Sequence, residues 1–370
     1  MRGGRSDAEQ LPEGLVTPAL VVDADVLDRN IARMAEAART GGFALRPHAK
    51  SHKCAEIAGR QLRAGARGLS VATLSEAEAF AAAGVDDLFI AYPLWPDESR
   101  ARRLRRLADV VALRVGVDSV EAARRLGDAV RGSDRAVEVL VEVDCGTART
   151  GVPAADAGRV ARAASDAGLG VLGAFTFPGH GYGHDPEARE RAARDEERAL
   201  SEAAEALREL GLEPRVLSGG STPTAGRWRP GPVDELRPGV YVFNDAQQLA
   251  MGCCGVDDLA LAAASTVISV PAPDRFVLDA GSKVLGADRS AWVTGHGYLP
   301  RYPEATITAL WEHHAVVHLP EGVPAPRLGA VLAVVPNHVC QPVNLADELV
   351  IARQGVEVDR WRVAARGANT

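Results

Sequence analysis

Val137-Glu138-Val139-Leu140-Val141-Glu142-Val143-Asp144 is followed by the alanine- and arginine-rich stretch 154–167 and then by Val171-Leu172-Gly173-Ala174-Phe175-Thr176-Phe177. A β-rich run, a segment with apolar residues spaced by three and four, and a second β-rich run make a strand–helix–strand unit. The alternation extends in both directions. Further β-rich runs lie at 43–46, 68–72, 87–92, 110–115, 215–218 and 239–243, and further helical stretches at 75–83, 119–130 and 186–210. Eight such units in series predict an α/β fold, a (β/α)8 TIM-type barrel, whose functional groups sit at the C-terminal ends of its strands.

Beyond residue 261 the helical pattern stops. Runs at 265–270, 275–279, 305–312, 315–318, 330–335 and 356–363 read as a C-terminal antiparallel β domain. The β-like segment 17–22 is expected to join that sheet as an N-terminal strand. The predicted division is therefore a barrel over 23–260 and a β domain made of 1–22 plus 261–370. The first fifteen residues, with Asp7, Glu9, Pro12 and Glu13, read as a loose tail without an apolar signal core.

Composition narrows the function classes. A chain of 370 residues, 46% of them hydrophobic, can bury two domain cores. Its net charge of -7 argues against a nucleic-acid partner, which needs a concentrated basic face. The longest apolar stretches, 240–243 and 259–270, are too short or too interrupted to span a bilayer. Five cysteines, an odd number scattered along the chain, suit a reducing compartment better than a disulfide framework. A soluble cytoplasmic protein is expected.

Three clusters point to chemistry. Arg46-Pro47-His48-Ala49-Lys50-Ser51-His52-Lys53 closes the first β-rich run. An amine that attacks a carbonyl must be neutral, and neighbouring cations or a dry pocket depress its pKa. Lys50 fits that description, a solvated basic turn being the alternative. Ser218-Gly219-Gly220-Ser221-Thr222-Pro223-Thr224 follows the seventh run, where barrels commonly build a phosphate site. A lysine and a phosphate cradle at two strand ends together suggest pyridoxal 5'-phosphate (PLP). Pro336-Asn337-His338-Val339-Cys340 is the third. In an extended segment His338 and Cys340 would face one side and close on one metal, with zinc favoured by an imidazole and a thiolate and manganese or magnesium as alternatives. A buried cysteine beside an unrelated histidine is the plainer alternative.

With Arg237-Pro238-Gly239-Val240-Tyr241-Val242-Phe243 added, these motifs resemble the D-serine dehydratase/D-threonine aldolase family, which has the alanine-racemase-type fold of fold type III PLP enzymes. The resemblance runs from about Thr17 to Asp347. It implies that Lys50 is the imine-forming lysine, with His48 and Arg46 as its electrostatic and positional support, and that His338 and Cys340 are the metal pair. It implies further that Arg149 bonds the cofactor's phenolic oxygen, that Tyr182 approaches its ring nitrogen, and that Gly219, Gly220, Ser221, Thr222 and Tyr241 surround its phosphate. A homodimer with each active site near the partner's β domain is also implied. His52 and Lys53 read as the start of the next helix.

The implied reaction is lysis of a β-hydroxy-D-amino acid, the metal acting as a Lewis acid on the hydroxyl. Dehydration of D-serine or a related D-3-hydroxy amino acid gives a keto acid and ammonia. Retro-aldol cleavage, the D-threonine aldolase reaction, gives glycine and an aldehyde. Dehydratases of the family tend to carry H-x-C and aldolases H-x-D, so Cys340 favours dehydration. An amino-acid racemase is a more distant alternative, against which the metal pair counts. In Trp311-Glu312-His313-His314 the family more often shows Glu-His-Gly, which makes His313 a candidate second acid/base.

Overall fold

A computed structural model describes residues 11–227 and 231–370; the first ten residues of the expected tail lie outside this range. The chain forms two compact units. One comprises Arg33–Lys50, Ile57–Gly239 and Ala368–Thr370, and the other joins the described residues through Ala32 with Ser51–Glu56 and Val240–Gly367.

The chain opens with β1 (Ala19–Asp23) and α1 (Ala24–Gly41). The parallel strands that follow are β2 (Ala44–Leu45), β3 (Leu69–Val71), β4 (Asp87–Pro93), β5 (Ala112–Val117), β6 (Glu138–Glu142), β7 (Gly170–Phe175), β8 (Val216–Gly219) and β9 (Glu235–Leu236). Between them lie α2 (Ala55–Arg63), α3 (Leu74–Ala82), α4 (Glu98–Val110), α5 (Val120–Val130), α6 (Ala157–Asp166) and α7 (Pro186–Arg208). Side-chain caps fix where these helices begin. Thr73, Asp97, Ser119 and Asp185 each accept a hydrogen bond from a first-turn amide of α3, α4, α5 and α7.

The strand order is β2-β9-β8-β7-β6-β5-β4-β3. A parallel bridge between His48 and Ser70 closes the ring, supported by the amides of Arg67 and Ser70 donating to the carbonyls of Leu45 and Pro47 at 2.8 Å each. The expected (β/α)8 TIM-type barrel is present, with one correction. The eighth strand is Glu235–Leu236 and not 239–243, and among the described residues no helix separates it from β8. Pro238 has no N–H to continue the ladder. After Gly239 the chain turns into a 3-10 helix, Val240–Val242, in which the amides of Phe243 and Asn244 both donate to the Val240 carbonyl.

The lower interior of the barrel is ionic. Arg46, 1% exposed, donates to Glu235 at 2.7 Å and to both oxygens of Asp87 at 2.7 and 2.9 Å. Burial works against its charge, but Glu235 and Asp87 more than compensate, and its pKa is raised. Arg114 stands 3.5–3.6 Å from Glu235, Asp87 and Glu138, and Ser218 donates to the other oxygen of Glu235. The expectation that Arg46 supports Lys50 electrostatically is corrected: its charge is spent on these carboxylates. Above this layer Phe89, Leu140, Leu172 and Phe175 pack together, the two phenyl rings edge to face at 5.0 Å.

The other unit is built on a mostly antiparallel eight-stranded sheet. Its strands after β1 are β10 (Leu261–Ala272), β11 (Arg275–Leu278), β12 (Thr306–Leu310), β13 (Ala315–His318), β14 (Val331–Val334), β15 (Glu348–Arg353) and β16 (Val356–Arg362). As expected, the N-terminal strand joins it: β1 pairs antiparallel with β10 and parallel with β15. Short helices α8 (Ala246–Ala250), α9 (Ser282–Leu285) and α10 (Cys340–Leu345) complete the unit. Among the described residues no helix is long and apolar enough to cross a membrane.

Replacing Arg46 with methionine strands two carboxylates inside the barrel, and removing one partner of a buried ion pair costs about 3–5 kcal/mol. Urea unfolding of Arg46→Met should show a loss of that size. A loss within about 0.5 kcal/mol, the range of ordinary surface substitutions, would refute the closure role.

Candidate active site

The C-terminal ends of β6 and β7 shape one half of the candidate site. Asp144 turns the chain back after β6 by accepting hydrogen bonds from the amides of Gly146, Thr147 and Ala148 at 2.9–3.1 Å. Thr147 donates to the Phe177 carbonyl at 2.7 Å and accepts from the Gly179 amide at 2.8 Å, tying this loop to the one after β7. The result carries Arg149 over the Phe177 ring, 5.0 Å from its centroid, with the guanidinium 55% exposed and 4.0 Å from Glu142. Lys50 Nζ lies 6.0 Å from the same centroid, at the edge of cation–π range, and the Tyr182 ring lies 5.9 Å from it. Lys50, Arg149 and Tyr182, predicted at three different strand ends, thus gather on one half-buried phenyl. Phe177 itself was read only as the end of a strand. An aromatic residue immediately before Pro178, at the catalytic end of a barrel strand, was the available signal.

His48 lies on the barrel seam, its amide donating to the Pro238 carbonyl at 3.0 Å. The glycine cradle follows β8. Gly219 is approached so closely by the Glu196 carboxylate that a Cβ there would collide with it, and Gly220 has a φ of +81°, which favours glycine. Two of the cradle's amides are engaged within the chain. Gly220 N–H donates to Glu196 Oε1 at 2.5 Å, and Ser221 N–H to the Thr224 hydroxyl at 3.0 Å. Ser221 and Thr222 are buried.

Two charged residues here escaped the sequence reading. Glu196 lies on the buried face of α7 with Ala192, Ala193, Ala199 and Leu200; an acid inside that apolar stripe was the overlooked signal. Burial pushes its pKa up to about 7 against the pull of the Gly220 amide and Arg237. Arg237 lies against both Phe175 and Phe89, 5.0 and 5.6 Å from the ring centroids, and donates to the Thr176 carbonyl. Burial lowers its pKa, with Glu235, Glu196 and Glu142 opposing. Glu142, raised by burial, accepts a hydrogen bond from Thr150 at 2.7 Å.

In the sheet-based unit, His338 and Cys340 do not lie on the expected extended segment. After β14 the chain turns at Val339 (φ -66°, ψ -23°), and Cys340 opens α10. The helical turn still brings the two side chains into contact. Burial lowers the His338 pKa, but Cys340 and Asp245 outweigh it and raise it well above the ordinary value. Asp245, buried at the N-cap of α8, lies 3.1 Å from His338 Nδ1 and also accepts from the Val339 and Gln248 amides. This holds the ring through Nδ1 and leaves Nε2 for a ligand, the arrangement of a metal-binding histidine backed by a carboxylate. Among the described residues no set of three or more His, Cys, Asp or Glu side chains is arranged to hold a metal ion, Asp245 reaching the pair only through His338 Nδ1. Asp245, two residues past Phe243, was also missed by the sequence reading.

His313 is exposed on the turn between β12 and β13, beside Trp311 at 55% exposure. Tyr241 is buried in the 3-10 helix Val240–Val242. His52 and Lys53 do not start a helix; α2 begins at Ala55. Both are buried, and Lys53 donates from Nζ to Asn344 at 2.7 Å while its carbonyl accepts from the Ala365 amide.

Comparison with known proteins agrees with this geometry. The family described as "Alanine racemase, N-terminal domain" matches residues 22–247, and the "Putative serine dehydratase domain" matches residues 260–352. The chain is 37% identical to D-threonine aldolase of Arthrobacter sp., covering 95% of this chain and 93% of that protein. It is also 37% identical to D-threo-3-hydroxyaspartate dehydratase of Delftia sp. (strain HT23), covering 88% and 91%. A solved structure of D-threo-3-hydroxyaspartate dehydratase, a cysteine-to-alanine mutant in the metal-free form, superposes with a TM-score of 0.86 at 32% identity, covering 97% and 99%. The chain belongs to the fold type III PLP enzymes, and within them to the D-serine dehydratase/D-threonine aldolase family of lyases.

The raised Glu196 pKa carries a stability consequence. The folded state holds a proton that the unfolded chain releases near the ordinary carboxyl value of 4.5, so the protonated acid stabilises the fold below pH 4.5 and this contribution fades as pH rises to about 7. Relative to Glu196→Gln, the wild type should therefore lose about 3 kcal/mol between those limits in denaturant titrations. Parallel pH profiles of the two proteins would contradict the buried, protonated acid.

Proposed function

We propose that this chain is a PLP- and divalent-metal-dependent lyase of β-hydroxy-D-amino acids that dehydrates D-serine or a related D-3-hydroxy amino acid to a keto acid and ammonia. The observation that carries the proposal is Cys340 in contact with His338, with Asp245 behind the imidazole. A racemase on this fold has no use for such a pair.

The residues fit both groups. Lys50 and Arg149 both lie near the Phe177 ring, and among the described residues the acid paired with Arg149 is Glu142 at 4.0 Å, which suits a ring bearing an aldehyde and a phenolate. Gly219, Gly220, Ser221 and Thr222, with Tyr241, are assigned to the phosphate, Tyr182 to the ring nitrogen and His48 to the support of Lys50. His338 and Cys340 would hold the metal, zinc before manganese or magnesium by the softness of the thiolate. When bound, PLP supplies an electron sink for a bond broken at the substrate's Cα, and the metal a Lewis acid for its hydroxyl.

The chain's own contribution is binding and proton transfer. Lys50 would hold the cofactor's aldehyde, and its Nζ would take the proton from the substrate's Cα. Arg149 keeps the phenolic oxygen ionised and oriented, since a guanidinium stays charged and donates in a fixed plane. Asp245 fixes the tautomer and direction of His338. His313 is the candidate second acid/base. Retro-aldol cleavage is the second reading, favoured by the match to D-threonine aldolase along nearly the whole chain.

Three measurements test these assignments. With D-serine, D-threonine and D-3-hydroxyaspartate offered in turn, ammonia plus a keto acid is expected; glycine plus an aldehyde would replace dehydration by cleavage. Lys50→Ala should abolish the cofactor's visible absorbance band, and a variant that kept it would refute the role of Lys50. Asp245→Asn should weaken divalent-metal affinity about 10- to 100-fold, whereas unchanged affinity would remove the metal from His338.

A further inference from the structure

Glu196 is buried within α7, and the mechanism above gives it no task. Its Oε1 accepts the Gly220 amide at 2.5 Å, and its carboxyl packs on the bare Cα of Gly219. Its Oε2 is buried without a hydrogen-bond partner among the described residues. An acid therefore stands directly behind the backbone assigned to the cofactor's phosphate.

We propose that Glu196 is a proton-carrying positioning residue for the phosphate group of PLP: the loop receives the phosphate dianion with Glu196 protonated, so that phosphate binding and proton uptake are coupled. The inference rests on the assignment of Gly219 to Thr222 as the phosphate loop.

The charge balance around the loop supports it. The titratable groups facing Glu196 are Arg237 beyond β9, Cys145 beyond β6 and Glu197 on its own helix. Arg237 is the one cation among them, and it also faces Glu142 and Glu235 and donates to the Thr176 carbonyl. Burial pushes the Cys145 thiol up to about 12, so it stays neutral. An ionised Glu196 would thus set a second anion against the phosphate across one glycine turn, with a single shared guanidinium to offset both. Protonation removes that repulsion. It leaves a carbonyl-type oxygen to accept from Gly220 and provides an O–H at the unpartnered Oε2. Glu196 already sits poised near neutrality, so the proton is available at little cost.

The sign of the linkage follows. A bound phosphate raises the Glu196 pKa further, so affinity is greatest when the acid is protonated and falls as pH rises beyond about 7. Dissociation constants of the full-length protein for PLP and for pyridoxal, which lacks the phosphate, can be measured from about pH 7 to 9, above the phosphate's own second ionisation near 6. The ratio of PLP to pyridoxal affinity cancels whatever the two ligands share at the aldehyde and leaves the phosphate's contribution. In the wild type that ratio should fall with pH, by up to about tenfold per unit. In Glu196→Gln, which keeps an oxygen for Gly220 and cannot ionise, it should stay flat.

A flat wild-type ratio above unity, or the same slope in both proteins, would overturn the proposal while leaving the phosphate loop in place. A ratio near one in both would remove the loop assignment as well. Should Glu196→Gln fail to fold, calorimetry of the wild type in two buffers of different ionisation enthalpy decides. More proton uptake with PLP than with pyridoxal supports the coupling, and equal uptake refutes it.

Discussion

A guanidinium sealed from water must find its counter-charges on other strands, and in this barrel that requirement closes the ring. β2 is only Ala44–Leu45, too short for its backbone ladder alone to fix a register. Arg46 supplies the fixation by bonding Asp87 of β4 and Glu235 of β9 at once. Four residues later comes Lys50. The ion cluster at the bottom of the barrel thereby sets the height and direction at which Lys50 leaves the seam, and Arg149 and Tyr182 reach the same Phe177 ring from neighbouring strand ends.

The barrel interior is layered by charge. Below the Phe89–Phe175 layer, Arg46 hydrogen-bonds Asp87 and Glu235, and Arg114 stands 3.5–3.6 Å from the same acids and Glu138. Above it the balance is looser: Arg237 lies against the rings, and Glu142 and Glu196 each keep one buried oxygen without a hydrogen-bond donor among the described residues. Charge pairing suits a foundation, since an unpaired buried charge costs several kcal/mol. Looser pairing near the strand ends leaves Glu142 and Glu196 with their pKa values raised by burial.

Much of this was legible along the chain. The eight-unit alternation predicted the barrel because strand and helix periods are local, and 17–22 was placed in the second sheet by its β character and position. Lys50, Arg149 and Tyr182 were singled out because each interrupts the expected pattern at a strand end, and they lie around one ring. Phe177, Glu196, Arg237 and Asp245 were missed because each resembles a core, helical, turn or capping residue until the chain is folded. The H-x-C pair was chosen correctly as a contacting pair but for the wrong reason, since a helical turn and not a strand brings the side chains together.

Local physics was enough for the kinds of elements, their order, and the residue types capable of imine, phosphate and metal chemistry. Those depend on periodicity, glycine freedom and donor chemistry, all carried by neighbouring residues. Tertiary structure alone decided which carboxylates neutralise Arg46, which ring collects Lys50, Arg149 and Tyr182, which acid stands behind the glycine cradle and which carboxylate orients His338. Burial and charge pairing join residues far apart in sequence, and their strength depends on distance and dielectric, which exist only once the strands have closed.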